Sequence, residues 1–502
     1  MSHNGNDEPK KNGDNDKEDK PEPQDNLVAT QHTITLNGIA ISYTVTTGTI
    51  VLKEETEKEE KAEGEKAKAS MFFTAYVKND VSDPATRPIT FSFNGGPGSS
   101  SVWLHMGVLG PRRVDRHDVS DAITPPFRLV DNAYSLLDES DLVFIDPVST
   151  GFSRAVPGEK PKQFFDFKKD IESVGDFIRL YVSRFHRWTS PKFLIGESYG
   201  TTRAAGLSGY LQERHGMYLN GIMLVSSVLN FLTLHFSAGN DLPYILFLPT
   251  YTATAWYHGR LAADLQADLA TTLAEVEAFA LGEYASALLQ GSALPDAQRA
   301  DVAQKLARYT GLTEAYLERT NLRVDIHRFC KELLREQRRT VGRLDSRYVS
   351  MDRDAAGEHF EFDPSYAAIL GPYTATFNDY VRRELAFASD LPYEILNFKV
   401  FPAWQYAQHQ NDFVNVAETL RSAMTTNPAL RVHVANGYYD LATPYLATRY
   451  TFDHLQLDPT LQPNISMSFY EAGHMMYVHL PSLAALKENL AAFMQKTVIG
   501  GR

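Results

Sequence analysis

Three residues, in a fixed order along the chain, could turn a serine into a nucleophile: Ser198, Asp440 and His474. A serine hydroxyl attacks poorly at neutral pH. It needs an imidazole to take its proton, and the imidazole needs a carboxylate to fix its tautomer and stabilise the imidazolium. Ser198 is the centre of Gly196-Glu197-Ser198-Tyr199-Gly200, a G-x-S-x-G preceded by the apolar stretch Phe193-Leu194-Ile195 and followed by the helix-compatible run Thr201 to Leu211. A turn that lifts a serine above a strand end is so tight that a Cβ at either flank would meet backbone, so small residues belong there. The pentapeptide alone also arises by chance in surface turns. A strand before it and a helix after it set this copy apart.

The partners come late in the chain. Leu430 to Ala435 reads as a strand that ends in Asn436-Gly437-Tyr438-Tyr439-Asp440, and Ile465 to Tyr470 as one that gives way to Ala472-Gly473-His474-Met475-Met476. Nucleophile, acid and base in this chain order, the last two on loops after late strands, is the order of one class of serine hydrolases. His479, on the same loop as His474, is the rival base. His433 lies inside a strand and reads as a packed or surface side chain, and Asp453 and Asp458 lie away from a strand end. Cys330 is the only cysteine, so an intramolecular disulfide and a cysteine-based zinc site are both excluded. Its charged helical stretch, Ile326 to Arg338, points to a structural or idle thiol. The chemistry read here calls for no cofactor and no metal.

These groups need a scaffold of short buried strands. Thr33 to Leu36 and Ile39 to Val45 alternate about Asn37-Gly38, a hairpin signal, and Met71 to Val77 is a further strand. The mixed-charge run Lys53 to Ala69 between them is helical in composition and reads as a solvated, charged loop. Ile89 to Phe93 leads into the glycine loop Asn94-Gly95-Gly96-Pro97-Gly98, where backbone N–H groups can approach a ligand and one oxyanion-hole donor can sit; a second belongs to Tyr199, the residue after the nucleophile. A phosphate cradle is the other use of such glycines, but no Gly-Lys-Ser/Thr ending follows. Leu142 to Asp146, Lys192 to Ile195 and Gly221 to Val225 are strands, with an amphipathic helix from Phe165 to Trp188 delivering the elbow.

Strand signals then lapse from about 230 to 399, where Arg260 to Leu281, Asp296 to Tyr309, Thr313 to Arg319 and Leu322 to Gly342 have helical period. Phe413 to Met424 returns as a helix, and Ser482 to Met494 closes the chain, with Ser482 as its N-cap. The pattern predicts an α/β protein: an α/β-hydrolase fold with a mostly parallel central sheet and an inserted helical cap. Residues 1–27 form a disordered acidic tail, 28–229 the first part of the core (with 53–69 its charged loop), 230–399 the cap and 400–502 the second part of the core.

Composition narrows the partners. The 502 residues are 43% hydrophobic and 22% charged with a formal charge of −13, and no basic patch with interleaved aromatics is present, which argues against nucleic acid. No stretch has the apolar length of a membrane span. The N-terminus carries no apolar signal core, which places the chain as written in the cytoplasm, or in the periplasm or outside the cell if a leader was removed.

At this point the sequence resembles the serine carboxypeptidases, in a bacterial-type form lacking the family's disulfides. The residues that carry the resemblance are Asn94-Gly95-Gly96-Pro97-Gly98, Asp146-Pro147-Val148-Ser149-Thr150-Gly151-Phe152-Ser153, Gly196 to Gly200, Asn436 to Asp440 and Gly473-His474-Met475, in the family's order from about Thr90 to Pro481. The resemblance implies Ser198, Asp440 and His474 as the triad, Gly96 with Tyr199 as oxyanion donors, and Asn94 with Glu197 in the cluster that holds a substrate's C-terminal carboxylate. Ser92 stands where that cluster has a tryptophan, Val108 where it has a second glutamate, and Ser99 where the glycine loop has a cysteine. A looser carboxylate anchor is expected. Two like charges repel in a desolvated site, so Glu197 can hold a carboxylate only if one proton is shared between them. The implied activity is that of a serine-type carboxypeptidase acting on peptides with a free C-terminus. An esterase or acyltransferase with the same triad is the alternative, and a silent scaffold binding partners through cap and tail is a third reading.

Overall fold

A computed structural model describes residues 22–58, 61–121, 124–409 and 411–499. Its spine is one sheet. In chain order the strands are β1 Asn26–Leu36, β2 Ile39–Lys58, β3 Lys61–Lys78, β4 Ile89–Phe93, β5 Asp141–Ile145, β6 Lys192–Glu197, β7 Gly221–Val225, β8 Arg431–Gly437 and β9 Ile465–Tyr470. In space they run β1-β2-β3-β5-β4-β6-β7-β8-β9. The first three and the β3–β5 pair are antiparallel; β5-β4-β6-β7-β8-β9 is parallel throughout. The α/β fold with a mostly parallel central sheet is therefore present.

The inner parallel strands β4, β5, β6 and β7 are buried on both faces. Alternate side chains of β6 and β7 enter opposite cores: Phe193, Ile195, Met223 and Val225 on one side, Leu194, Ile222 and Leu224 on the other. Helices Phe167–Arg184, Tyr199–His215 and Ala417–Thr426 cover the second face, and helices Pro364–Arg383 and Leu480–Ile499 the first. Helix Phe167–Arg184 starts where Asp166 accepts from Lys168 N and Lys169 N at 3.0 and 3.1 Å. A third core, around Tyr251, Val276, Leu306 and Phe329, is made by the helices between Leu242 and Glu332.

Several expectations change. Residues 1–21 of the expected tail lie outside the described residues, and β1 already begins at Asn26. The charged segment 53–69, of which residues 59 and 60 lie outside the described residues, is a ribbon extending β2 and β3 rather than a loop. Its charges suit an exposed ladder, with Glu54 facing Lys66 across the strands. Helix Leu242–Tyr257 had no signature: its apolar residues run all round, with Pro249 inside. The expected helix from Arg260 begins only at Leu269, where Asp268 caps Thr271 N, and the one from Leu322 spans only Ile326–Glu332 behind the cap Asp325. Helix Pro364–Arg383, within the expected cap range, lays Ile369, Tyr373, Phe377 and Tyr380 into the core on the sheet. The closing helix starts at Leu480, so Ser482 is inside it, bonded to His479 Nδ1 at 2.8 Å. Pro481 in the first turn has no N–H to satisfy, which lets the helix begin before it.

One buried charge group pins the start of the parallel sheet. Asp141 at the head of β5 accepts from Arg187 Nη1 at 2.5 Å, Arg87 Nε at 2.7 Å and Lys78 N at 3.0 Å, and the Asp141 and Arg187 side chains are nearly solvent-free. Removing the shared acid leaves the buried Arg187 guanidinium without a carboxylate, and Arg87 with it. Asp141→Ala is expected to lower unfolding stability by roughly 3–5 kcal/mol in urea denaturation followed by circular dichroism. A loss below about 1 kcal/mol, the size of an exposed pair, would contradict this.

Candidate active site

β6 ends at Glu197 and helix Tyr199–His215 starts two residues later, so Ser198 alone makes the turn. Its backbone sits at φ 60, ψ −130, a region a non-glycine residue seldom occupies, and its N–H is tied to Val225 O at 3.0 Å. The flanking glycine is required by space. A Cβ on Gly196 would stand 2.1 Å from Gly200 O. The glycine loop after β4 abuts the same turn: a Cβ on Gly95 would lie 2.4 Å from Tyr199 N. This close approach brings the backbone of the Gly95-Gly96 loop to the first turn of the helix, where Tyr199 N–H has no intrahelical acceptor. Gly96 lines the cavity with Ser198, and the Tyr199 N–H follows the serine directly.

Asp440 and His474 meet after β8 and β9. His474 Nδ1 lies 2.8 Å from Asp440 Oδ2, and the carboxylate is fully buried. Ala442 N and Thr443 N donate to Asp440 Oδ1 at 2.8 and 3.0 Å, and Thr443 Oγ1 donates to Oδ2 at 2.7 Å. The histidine backbone is fixed as well, its N–H on Leu344 O and its carbonyl on Ser226 Oγ, each at 2.6 Å. With Nδ1 engaged, Nε2 is the nitrogen left for a serine proton. Burial disfavours the imidazolium, but the Asp440 carboxylate and the nearby Glu197 carboxylate outweigh burial and the opposing charge of Arg343. The His474 pKa is held above its ordinary value.

Glu197 is 3% exposed. Asn94 Nδ2 donates to its Oε1 at 3.0 Å and Tyr477 OH to its Oε2 at 2.5 Å. Burial pushes its carboxyl up to about 7, against the pull of His474 and of both hydrogen bonds. Near neutrality this group therefore exchanges a proton. Asn94 is itself anchored: its Oδ1 accepts Leu104 N at 3.1 Å, and its carbonyl accepts Arg203 Nη1 at 2.5 Å. Arg203, fully buried on the elbow helix, forks onto Asp170 at 2.8 and 3.0 Å.

Asn94, Gly96, Glu197, Ser198 and His474 line one cavity of about 670 Å³. Among the described residues Ser198 Oγ makes no hydrogen bond, and it shares the cavity with His474. His433 is bonded to Ser466 and Ser468, and His479 to Ser482; neither lines the cavity. Asp453 ends helix Tyr445–Asp453 and Asp458 accepts from Thr460 N at 2.9 Å, both apart from the cavity. Cys330 is buried in the third core and its thiol is pushed well up by that burial. Sequence reasoning missed Tyr477, Thr443 and Arg203, which have no motif of their own. Val108 is buried in the core on one face of the sheet, and the buried Ser92 Oγ has no partner among the described residues.

Residues 61–486 match the family model described as "Serine carboxypeptidase". Among curated proteins, the pheromone-processing carboxypeptidase KEX1 of Saccharomyces cerevisiae is 35% identical over 137 residues, 26% of this chain and 17% of that protein. Serine carboxypeptidase-like 33 of Arabidopsis thaliana is 29% identical over 158 residues, 29% of each. These alignments thus span less than a third of either relative. The crystal structure of Kex1Δp, a prohormone-processing carboxypeptidase from Saccharomyces cerevisiae, shares the fold with a TM-score of 0.56 at 15% identity, covering 90% of this chain and 91% of that one.

The charge of Glu197 is one of the groups that hold the His474 pKa up. Glu197→Gln removes it, so the imidazolium loses a stabilising neighbour and the His474 pKa falls. NMR titration of the imidazole in both proteins reads this directly. An unchanged or higher value in the variant would show that the two groups do not interact.

Proposed function

The chain belongs to the serine carboxypeptidase family, and we propose that it releases residues from the free C-termini of peptides through an acyl-enzyme on Ser198. Ser198 Oγ attacks the carbonyl carbon of the last peptide bond while His474 Nε2 takes its proton. The developing oxyanion is received by the N–H groups of Gly96 and Tyr199. His474 returns the proton to the leaving amine, and water, deprotonated by the same imidazole, then hydrolyses the ester. Asp440 orients the ring and stabilises its cation. The observation that carries this reading is the buried 2.8 Å contact between Asp440 and His474 on the cavity that Ser198 also lines.

Selection of a free C-terminus falls to Glu197 with Asn94. A protonated Glu197 donates to the substrate carboxylate, with the Asn94 amide beside it; an ionised Glu197 repels the same carboxylate. Support comes from the burial of Glu197 and its pKa of about 7. The segment 230–399 acts as the cap that shapes the substrate space, and this rests on Arg343, Leu344, Phe362, Tyr366 and Phe398, which line the cavity from within it.

Ser198→Ala is expected to lower kcat by a factor on the order of 10⁴ with the fold retained, and to abolish labelling by a fluorophosphonate. Near-normal turnover would remove Ser198 from the mechanism. The anchor is read from kcat/KM for a blocked dipeptide and for its C-terminal amide across pH. The preference for the acid is expected to be greatest below about pH 7, where Glu197 keeps its proton, and to fade above it. Glu197→Gln should flatten that dependence. A preference independent of pH in both proteins would rule the shared proton out.

A further inference from the structure

The proposed mechanism leaves one cation of the cavity unused. Arg343 lines it together with Ser198 and His474. Its backbone is held by the two loops that carry the acid and the base: Arg343 O accepts Leu441 N at 3.0 Å, and the next carbonyl, of Leu344, accepts His474 N at 2.6 Å. The side chain is 37% exposed, and among the described residues its guanidinium makes no hydrogen bond. The one carboxylate within reach, Asp363, is 4.0 Å from Nε. Asp363 is already occupied: it accepts from Arg343 N, Leu344 N and Ser365 N, and caps helix Pro364–Arg383.

The other acids of the cavity are occupied too. Glu197 is bonded to Asn94 and Tyr477, and Glu361 stands 3.4 Å from Arg353. A guanidinium presents five donors in a planar fork that fits a carboxylate with two parallel hydrogen bonds. Here the fork stands at the wall of a largely apolar cavity, where such a pair gains more than it does in water. The positive charge also lies near enough to His474 to oppose its protonation.

We propose that Arg343 is a specificity-determining residue whose guanidinium receives a carboxylate of the bound peptide, so that the cavity selects substrates carrying one beside the scissile bond. The inference rests on the reading of Ser198 as the peptidase nucleophile. A peptide offers this chemistry from two sources, an acidic side chain or the terminal carboxylate.

The test is a set of kcat/KM ratios in mildly alkaline buffer, where Glu197 is ionised. In one arm the leaving residue is glutamate or its neutral isostere glutamine; in the other a neutral leaving residue carries a free or an amidated C-terminus. Wild type, Arg343→Gln and Arg343→Met are compared, the last keeping an apolar stem should the first fold poorly, and Arg343→Lys keeps the charge without the fork. The wild type is expected to prefer the carboxylate member in at least one arm. Loss of the fork should cut that preference about ten-fold or more, with Lys in between. A change in the first arm assigns the side chain; a change in the second assigns the terminus. Ratios unchanged in both arms, in a wild type that turns peptides over, overturn the role of Arg343 alone. A wild type that hydrolyses none of the peptides overturns the peptidase reading and this inference with it.

Discussion

The backbone at Ser198 is the constraint around which the site is built. A non-glycine residue at φ 60, ψ −130 is strained by something on the order of 1–3 kcal/mol, and it persists only where its neighbours leave no alternative. Those neighbours are β6 on one side, the elbow helix on the other, and the β4 loop pressed against both. Each contact depends on a missing Cβ, at Gly196 against Gly200 and at Gly95 against Tyr199. The same crowding that strains the serine packs the Gly95-Gly96 loop against the first turn of the elbow helix.

Around that turn the fold buries charge, and the charges are interdependent. His474 stands between Asp440, which holds it at 2.8 Å, and Glu197, whose own carboxyl is raised to about 7 by burial. An imidazolium and a carboxylate stabilise each other here, so ionising one favours ionising the other. Behind them Arg203 ties helix Phe167–Arg184, the elbow helix and the Asn94 carbonyl together through Asp170. A buried pair of this kind is weak evidence for stability. What it does fix is the position of Asn94, whose amide donates to Glu197 at 3.0 Å.

Legibility in the sequence followed physical demand. β4 and β7 were readable residue for residue, because a short strand buried on both faces is a mostly apolar run bounded by turn residues. Helices Leu242–Tyr257 and Pro364–Arg383 were not. One is apolar all round, and both carry an internal proline, which period counting treats as a break. The ribbon at 53–69 misled because Lys and Glu serve an exposed strand as well as an exposed helix. Ser198, Asp440 and His474 were legible since each closes a strand in a fixed order. Tyr477, Thr443 and Arg203 were not, as an ordinary tyrosine, threonine or arginine gains its role only from a partner that the fold brings to it. Tyr477 meets Glu197 from 280 positions away.

The same contrast separates chemistry from selectivity in this cavity. Proton transfer prescribes residue types, so the candidate catalytic groups announce themselves. A substrate wall needs only shape and one or two charges, and segment 343–402 supplies these from turns and helix ends that carry no motif. The result is a cavity with two unlike poles. At one, the Glu197 carboxyl takes up or releases a proton near neutrality, so its attraction for an anion can be switched off by pH. At the other stands the Arg343 guanidinium, which makes no hydrogen bond among the described residues. Raising the pH through neutrality takes the proton from Glu197 and turns the first pole anionic. On the roles proposed for both residues, a cation in the wall is the group that would hold an anionic substrate once Glu197 has lost its proton.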